Sequence, residues 1–182
     1  MIDESIASTI HDELFAEDGV NVYAVVDAAS CPELEAQFNQ HTPPFECLFA
    51  GKLKADVAGV APYVVALQPD NAFTRWLIGE GWGCHWGIFA GAPADLKSMH
   101  RRLRQYLKVR GPDDTPLYFR YYDPRVFRTY LPTCTAQEAD VIYGETTWFA
   151  MESSDGAALL RFPLRNGRPQ RRLIPLAAPK QG

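Results

Sequence analysis

The sequence predicts a layered α/β domain: a mixed β-sheet with flanking helices and a C-terminal antiparallel hairpin, with α+β as the alternative. Three observations lead there. Runs rich in β-branched and aromatic residues, at 22–26, 63–67 and 84–90, alternate with segments of helical periodicity. Near the end, 146–152 and 157–162 flank Ser153-Ser154-Asp155-Gly156, whose Asp-Gly step is a strong hairpin signal. A chain of 182 residues, 47% hydrophobic and 22% charged, also suits one globular core, which excludes a disordered, collagen-like or coiled-coil protein.

The elements follow in order. Ile2, Ile6, Ile10 and Leu14 recur every four residues and predict a first helix that ends before Gly19. Residues 22–26 predict a strand with Asp27 at its end, and the Ser30 to Glu33 spacing, with Pro32 between, predicts a capping box for a second helix. Past the Thr42-Pro43-Pro44 turn come a short strand at 47–49, a helical turn at 52–58 and a strand at 63–67 entered through Pro62. Asp70 is expected to cap a helix bearing Phe73, Trp76 and Leu77, ended by Gly79, Gly81 and Gly83. Residues 84–90, with Trp86, Ile88 and Phe89, read as a core strand.

Pro93 opens the clearest helix, with Leu96, Met99, Leu103 and Leu107 facing inward and Lys97, Arg101, Arg104 and Lys108 outside. After a Gly111-Pro112-Asp113-Asp114 turn, a strand at 117–122 is expected to alternate Leu117, Phe119 and Tyr121 against Tyr118, Arg120 and Tyr122. Asp123 then caps one helix with Pro124 in its first position, and Thr135 with Glu138 forms the capping box of another that ends at Gly144.

Charge divides the chain. Residues 1–160 hold 12 Lys and Arg against 22 Asp and Glu, while 161–182 hold 6 against none. A mainly acidic body repels phosphate backbones, so nucleic-acid binding is not expected. With Pro163, Pro169, Pro175 and Pro179, the end of the chain predicts a basic extended arm at 163–182 following a domain at 1–162. Arg165, Arg168, Arg171 and Arg172 in that arm are candidate partner contacts. The longest nearly apolar stretch, 59–67, is under half of the roughly 20 residues that span a bilayer, so no membrane span is expected. The acidic start lacks the basic segment of a secretory signal, and the protein is expected inside the cell.

Chemistry-bearing patterns are sparse. Cys31, Cys47, Cys84 and Cys134 form no CxxC pair and read as reduced, buried thiols. Cys84 and His85 adjoin, but neighbours on a strand point to opposite faces, so the pair reads as core structure. His11, His41, His85 and His100 lack an H-x-x-x-H spacing, and no phosphate-cradling or G-x-S-x-G motif occurs. No catalytic residue, cofactor or metal is therefore assigned. The densest polar cluster is Arg120, Tyr122, Asp123 and Arg125, where Asp123 can accept helix amides while both arginines neutralise it.

Several segments in order resemble a bacterial family, domain of unknown function 4123, the adaptor chaperones of type VI secretion. They are Tyr23-Ala24-Val25-Val26-Asp27, Leu48-Phe49-Ala50-Gly51, Ala61-Pro62-Tyr63-Val64-Val65, Trp86-Gly87-Ile88-Phe89, His100-Arg101-Arg102-Leu103-Arg104 and Phe119-Arg120-Tyr121-Tyr122-Asp123-Pro124-Arg125-Val126. The last is the most distinctive. Family members often carry His-Leu-Arg where this chain has His100-Arg101-Arg102, and the arm lies outside the shared pattern. The resemblance implies a non-catalytic adaptor in the bacterial cytoplasm that binds a toxin effector and helps place it on a VgrG-type spike-tip protein. The alternatives are a small hydrolase or transferase using Cys84, His85 or Asp123, and an immunity protein that neutralises the toxin.

Overall fold

A computed structural model describes residues 1–110 and 113–176. The chain runs α1 (Glu4–Leu14), β1 (Asn21–Asp27), α2 (Leu34–His41), β2 (Phe45–Cys47), α3 (Ala55–Ala58), β3 (Pro62–Leu67), α4 (Ala72–Gly81), β4 (Gly87–Ala92), α5 (Leu96–Gln105), β5 (Lys108–Arg110), β6 (Pro116–Tyr118), α6 (Pro124–Tyr130), α7 (Ala136–Tyr143), β7 (Trp148–Glu152), β8 (Ala158–Arg165), β9 (Arg168–Pro169) and β10 (Arg172–Pro175). The main sheet has the order β10-β8-β7-β4-β1-β3-β2, with β9 added on β8, and β5 with β6 forms a separate ribbon.

The layered domain, the flanking helices and the C-terminal hairpin are as the sequence implies. Every ladder among the described residues is antiparallel. β3 and β4 run the same way, as a strand-helix-strand order requires, but α4 carries the chain over β1, which pairs with both.

Alternation along β1 builds two cores. Val22, Ala24 and Val26 face one side, with Ile10 and Leu14 of α1, Leu34 and Phe38 of α2, and Phe73 and Leu77 of α4. Tyr23 and Val25 face the other, with Met99 and Leu103 of α5, Phe127 of α6, and Ile142 and Tyr143 of α7. The result is a three-layer sandwich with a sheet buried on both faces, which is why β1 reads as a continuous apolar run. Gly91 on β4 permits the close approach of β7: a Cβ there would overlap the Trp148 indole.

Several boundaries differ for local reasons. Asn71, not Asp70, caps α4 by accepting from the Phe73 amide at 2.7 Å, and Asp95 caps α5. The strand expected at 117–122 ends at Tyr118, and Tyr121 and Tyr122 are both buried, because the chain leaves the ribbon and turns under the sheet. Gly111 and Pro112 of the expected turn lie outside the described residues.

The boundary drawn at residue 162 falls inside β8, which continues to Arg165. Asn166 and Gly167 then adopt φ of 51° and 70° and reverse the chain into β9, and β10 pairs with β8 from Arg172 to Pro175. Residues 163–176 are thus an edge of the sheet. The signal was the Asn-Gly dipeptide, whose ease in left-handed backbone suits a two-residue hairpin turn; Pro169 and Pro175 fit because they stand on β9 and β10, at the margin of the sheet. The arm's residues 177–182 lie outside the described residues.

Candidate functional site

The polar cluster predicted around Arg120 is organised by a residue from the other end of the domain. Asp27, 2% exposed at the end of the central strand β1, accepts hydrogen bonds from the Ala29 amide and the Ser30 hydroxyl, each at 3.1 Å. It also accepts from the Arg120 guanidinium at 2.7 Å. Ser30 is therefore occupied, its capping box with Glu33 does not form, and α2 starts at Leu34 without a side-chain cap. Tyr122 lies beneath Arg120, with the guanidinium carbon 5.7 Å from the ring centroid.

Asp123 is the α6 cap. Its Oδ1 accepts from the Arg125 amide and Nε, both at 2.9 Å, and its Oδ2 from the Arg125 terminal nitrogen at 2.8 Å. One carboxylate shared by two arginines was expected; two separate pairs are found, Asp27 with Arg120 and Asp123 with Arg125. Burial pushes the Asp123 carboxyl up, but the Arg125 side chain and amide outweigh it and hold it below its ordinary value of 3.8. Burial also raises the Tyr122 phenol, with Asp27 adding to the effect. All four signature residues thus meet at one corner, and both carboxylates there are saturated with donors.

The tail arginines stand elsewhere. Arg165 and Arg168 flank the Asn166-Gly167 turn, Arg172 opens β10, and all are exposed with Arg171. Strand order separates them from the Asp27 corner by β7 and β4. Arg161 differs from its neighbours: it is buried, stacks on Trp148 at 4.4 Å, and donates to the Glu13 carbonyl at 3.0 Å and Glu17 at 2.7 Å. It fastens the end of α1 to the sheet.

Cys84 and His85 lie in a turn rather than the expected strand, with His85 at φ 57°. The buried carboxylate of Glu152 on β7 holds this turn, accepting from the Gly83 amide, from the His85 amide at 3.2 Å and from His85 Nδ1. Cys84 Sγ instead donates to the Glu80 carbonyl at 3.4 Å. The two neighbours engage different partners. Cys31 and Cys134 are buried, as expected, and burial lifts the Cys31 thiol to about 12, with Glu33 adding; Cys84 is exposed. Among the described residues, no three His, Cys, Asp or Glu side chains gather where they could hold a metal ion.

Beside α5 the surface changes character. His100 Nε2 donates to the Cys47 carbonyl at 2.9 Å, covering part of the β2 sheet edge. Arg102 and Tyr106 both donate to the Val141 carbonyl in the last turn of α7, where a cation is favourable. Lys97, Arg101 and Arg104 point outward. Next to them the β5–β6 ribbon exposes Val109, Leu117 and Tyr118, the last 67% exposed and edge-on to Phe49 at 6.3 Å.

A family model, Domain of unknown function (DUF4123), matches residues 22–140. The chain belongs to that family. The matched stretch begins on β1, ends within α7 and holds both members of the Asp27–Arg120 pair. The β7–β10 half of the sheet and the tail arginines follow it. No curated protein and no solved structure matches. Among the described residues, no helix is long and apolar enough to cross a membrane.

Proposed function

We propose that this protein is a cytoplasmic adaptor chaperone that binds a type VI secretion toxin effector and helps load it onto a VgrG-type spike-tip protein. Membership of the DUF4123 family supports the reading. The observation that carries it is a division of labour among the side chains. Both carboxylates at the signature corner are engaged internally, Asp27 with Arg120 and Asp123 with Arg125 and its amide, while the two guanidiniums stay half exposed. Of the ten exposed large apolar side chains among the described residues, four stand on the β5–β6 ribbon or across the groove beside it, Val109, Leu117, Tyr118 and Val141. Such a surface suits covering another polypeptide better than holding a small substrate.

Co-expression with the neighbouring toxin and spike genes, followed by affinity capture and sizing, tests the proposal. Capture of toxin and spike in a fixed ratio, unchanged by Cys84→Ala, is expected. A turnover that disappears with Cys84→Ala or His85→Ala would replace it with the hydrolase or transferase reading. Protection of a target cell without any gain in delivery would replace it with the immunity reading.

A further inference from the structure

We infer that the partner docks on a continuous surface made of the basic face of α5 and the apolar trough beside it, and that it presents an acidic amphipathic segment. The inference rests on the adaptor reading in taking the partner to be a polypeptide. The trough, about 570 Å³, is lined by buried Leu48 and Leu107 and by Phe49, Leu53, Val57 and Tyr118, which are partly or largely exposed. A second groove on α5 is lined by Lys97, His100, Arg101, Arg104 and Gln105. Arg104 and Gln105 border both, so charge and apolar area adjoin. Lys108 extends the basic edge, its ammonium 5.8 Å from the Tyr118 ring centroid.

Charge identifies the occupant. Six of the 12 Lys and Arg in residues 1–160 fall within 97–110, a segment with no Asp or Glu. The fold accounts for some of them: Arg102 is tied to α7, and Arg104 lies in the last turn of α5, where cations suit the helix dipole. Lys97, in the first turn, and Arg101 serve the fold only through their attraction to the exposed Asp95 cap, which adds to the lowering of its carboxyl by the Ser98 hydrogen bonds. Among the described residues neither of these, nor Arg104, takes part in an ion pair. Within the otherwise acidic residues 1–160, the basic face of α5 thus runs along an apolar trough. An acidic helix or strand with one apolar face satisfies both halves; a phosphate backbone would leave Phe49, Leu53 and Val57 in water.

Two labelled peptides of about 16 residues, with Leu at i, i+3, i+4 and i+7 and otherwise Glu in one and Lys in the other, are titrated with the full chain by fluorescence anisotropy. The Glu peptide is expected to bind, to weaken about tenfold as salt rises toward 0.5 M, and to outcompete the Lys peptide. Arg101→Glu with Arg104→Glu, and separately Tyr118→Ser, should each cost about tenfold, while melting temperatures fall by no more than about 4 °C, the share expected from reversing a charge in the last turn of α5. Leu173→Ser, exposed on β10 at the opposite end of the sheet from β2, should leave binding unchanged. Equal binding of both peptides overturns the inference, as does a single-stranded oligonucleotide that binds more tightly and ignores Tyr118→Ser. Toxin capture unaffected by the α5 and Tyr118 substitutions overturns this surface and leaves the adaptor reading standing. Peptide binding with no toxin capture by the parent chain supports the surface and overturns the adaptor reading.

Discussion

Asp27 and Arg120, 93 positions apart in the chain, meet at 2.7 Å and join the end of the central strand to the segment that leads into α6. The carboxylate is buried and the guanidinium is half exposed. Burial opposes the Arg120 charge, but the bond to Asp27 outweighs it and raises the group above its ordinary value. The pair therefore positions the corner: the apolar ribbon before it and the capped helix after it are both held relative to β1.

Arg120→Ala leaves a buried carboxylate with two donors where it had three, and should lower unfolding stability by about 1–3 kcal/mol in urea titrations. Asp27→Asn should cost less, since an amide oxygen can still accept from Ala29. The double variant should cost less than the sum, because both changes remove one interaction. Strict additivity would mean the pair is not coupled.

Asp123→Ala removes the α6 cap and should cost about 1 kcal/mol, with Asp123→Asn milder. The sign with pH follows from its lowered pKa. A carboxyl depressed in the folded state contributes stability above its unfolded pKa and loses it as pH falls through the folded value, so the contribution fades below about pH 4. Stability curves of the parent and Asp123→Asn should converge on acidification; a constant gap down to pH 2 would contradict this.

Glu152→Ala removes the acceptor that holds the Gly83 and His85 amides and the His85 ring. Amide hydrogen exchange at Gly83 and His85 should accelerate, and Cys84 should alkylate faster, while β1 amides stay protected. Unchanged exchange at both positions would show that Trp82, whose indole donates to the Gly156 carbonyl at 2.8 Å, is enough to pin the turn.

Truncation after Phe162 removes the end of β8, β9, β10 and Leu176, which is buried in the core that holds Val22, Ala24 and Val26. Loss of that side chain alone should cost about 2 kcal/mol, and the exposed edge of β8 should promote aggregation during purification. Arg165→Glu, Arg168→Glu and Arg171→Glu together should leave the melting temperature unchanged. Any loss of partner capture in that triple variant then reports a contact, whereas loss in the truncation reports a damaged sheet.

Features closed within one turn were legible from the residues themselves. Thr135 and Glu138 form their capping box, Asp123 caps α6 with Pro124 in its first position, and the Asp155-Gly156 turn joins β7 to β8. The signature Arg120, Tyr122, Asp123 and Arg125 was legible as a cluster. Its main partner was not, because nothing in the spacing of Ser30 and Glu33 reveals that Asp27 claims the serine hydroxyl.

The chain alone thus determined where helices and apolar strands alternate and the caps of α6 and α7, since each depends on side chains three or four residues apart or on alternation along a single strand. Tertiary structure decided the rest. It placed β1 between β3 and β4, folded residues 163–176 into the sheet, gave Arg120 to Asp27 and His85 to Glu152, and left the basic face of α5 beside an apolar trough. Those choices depend on competition among donors, acceptors and apolar faces that meet only after long loops have closed, and local spacing carries no record of which partner wins.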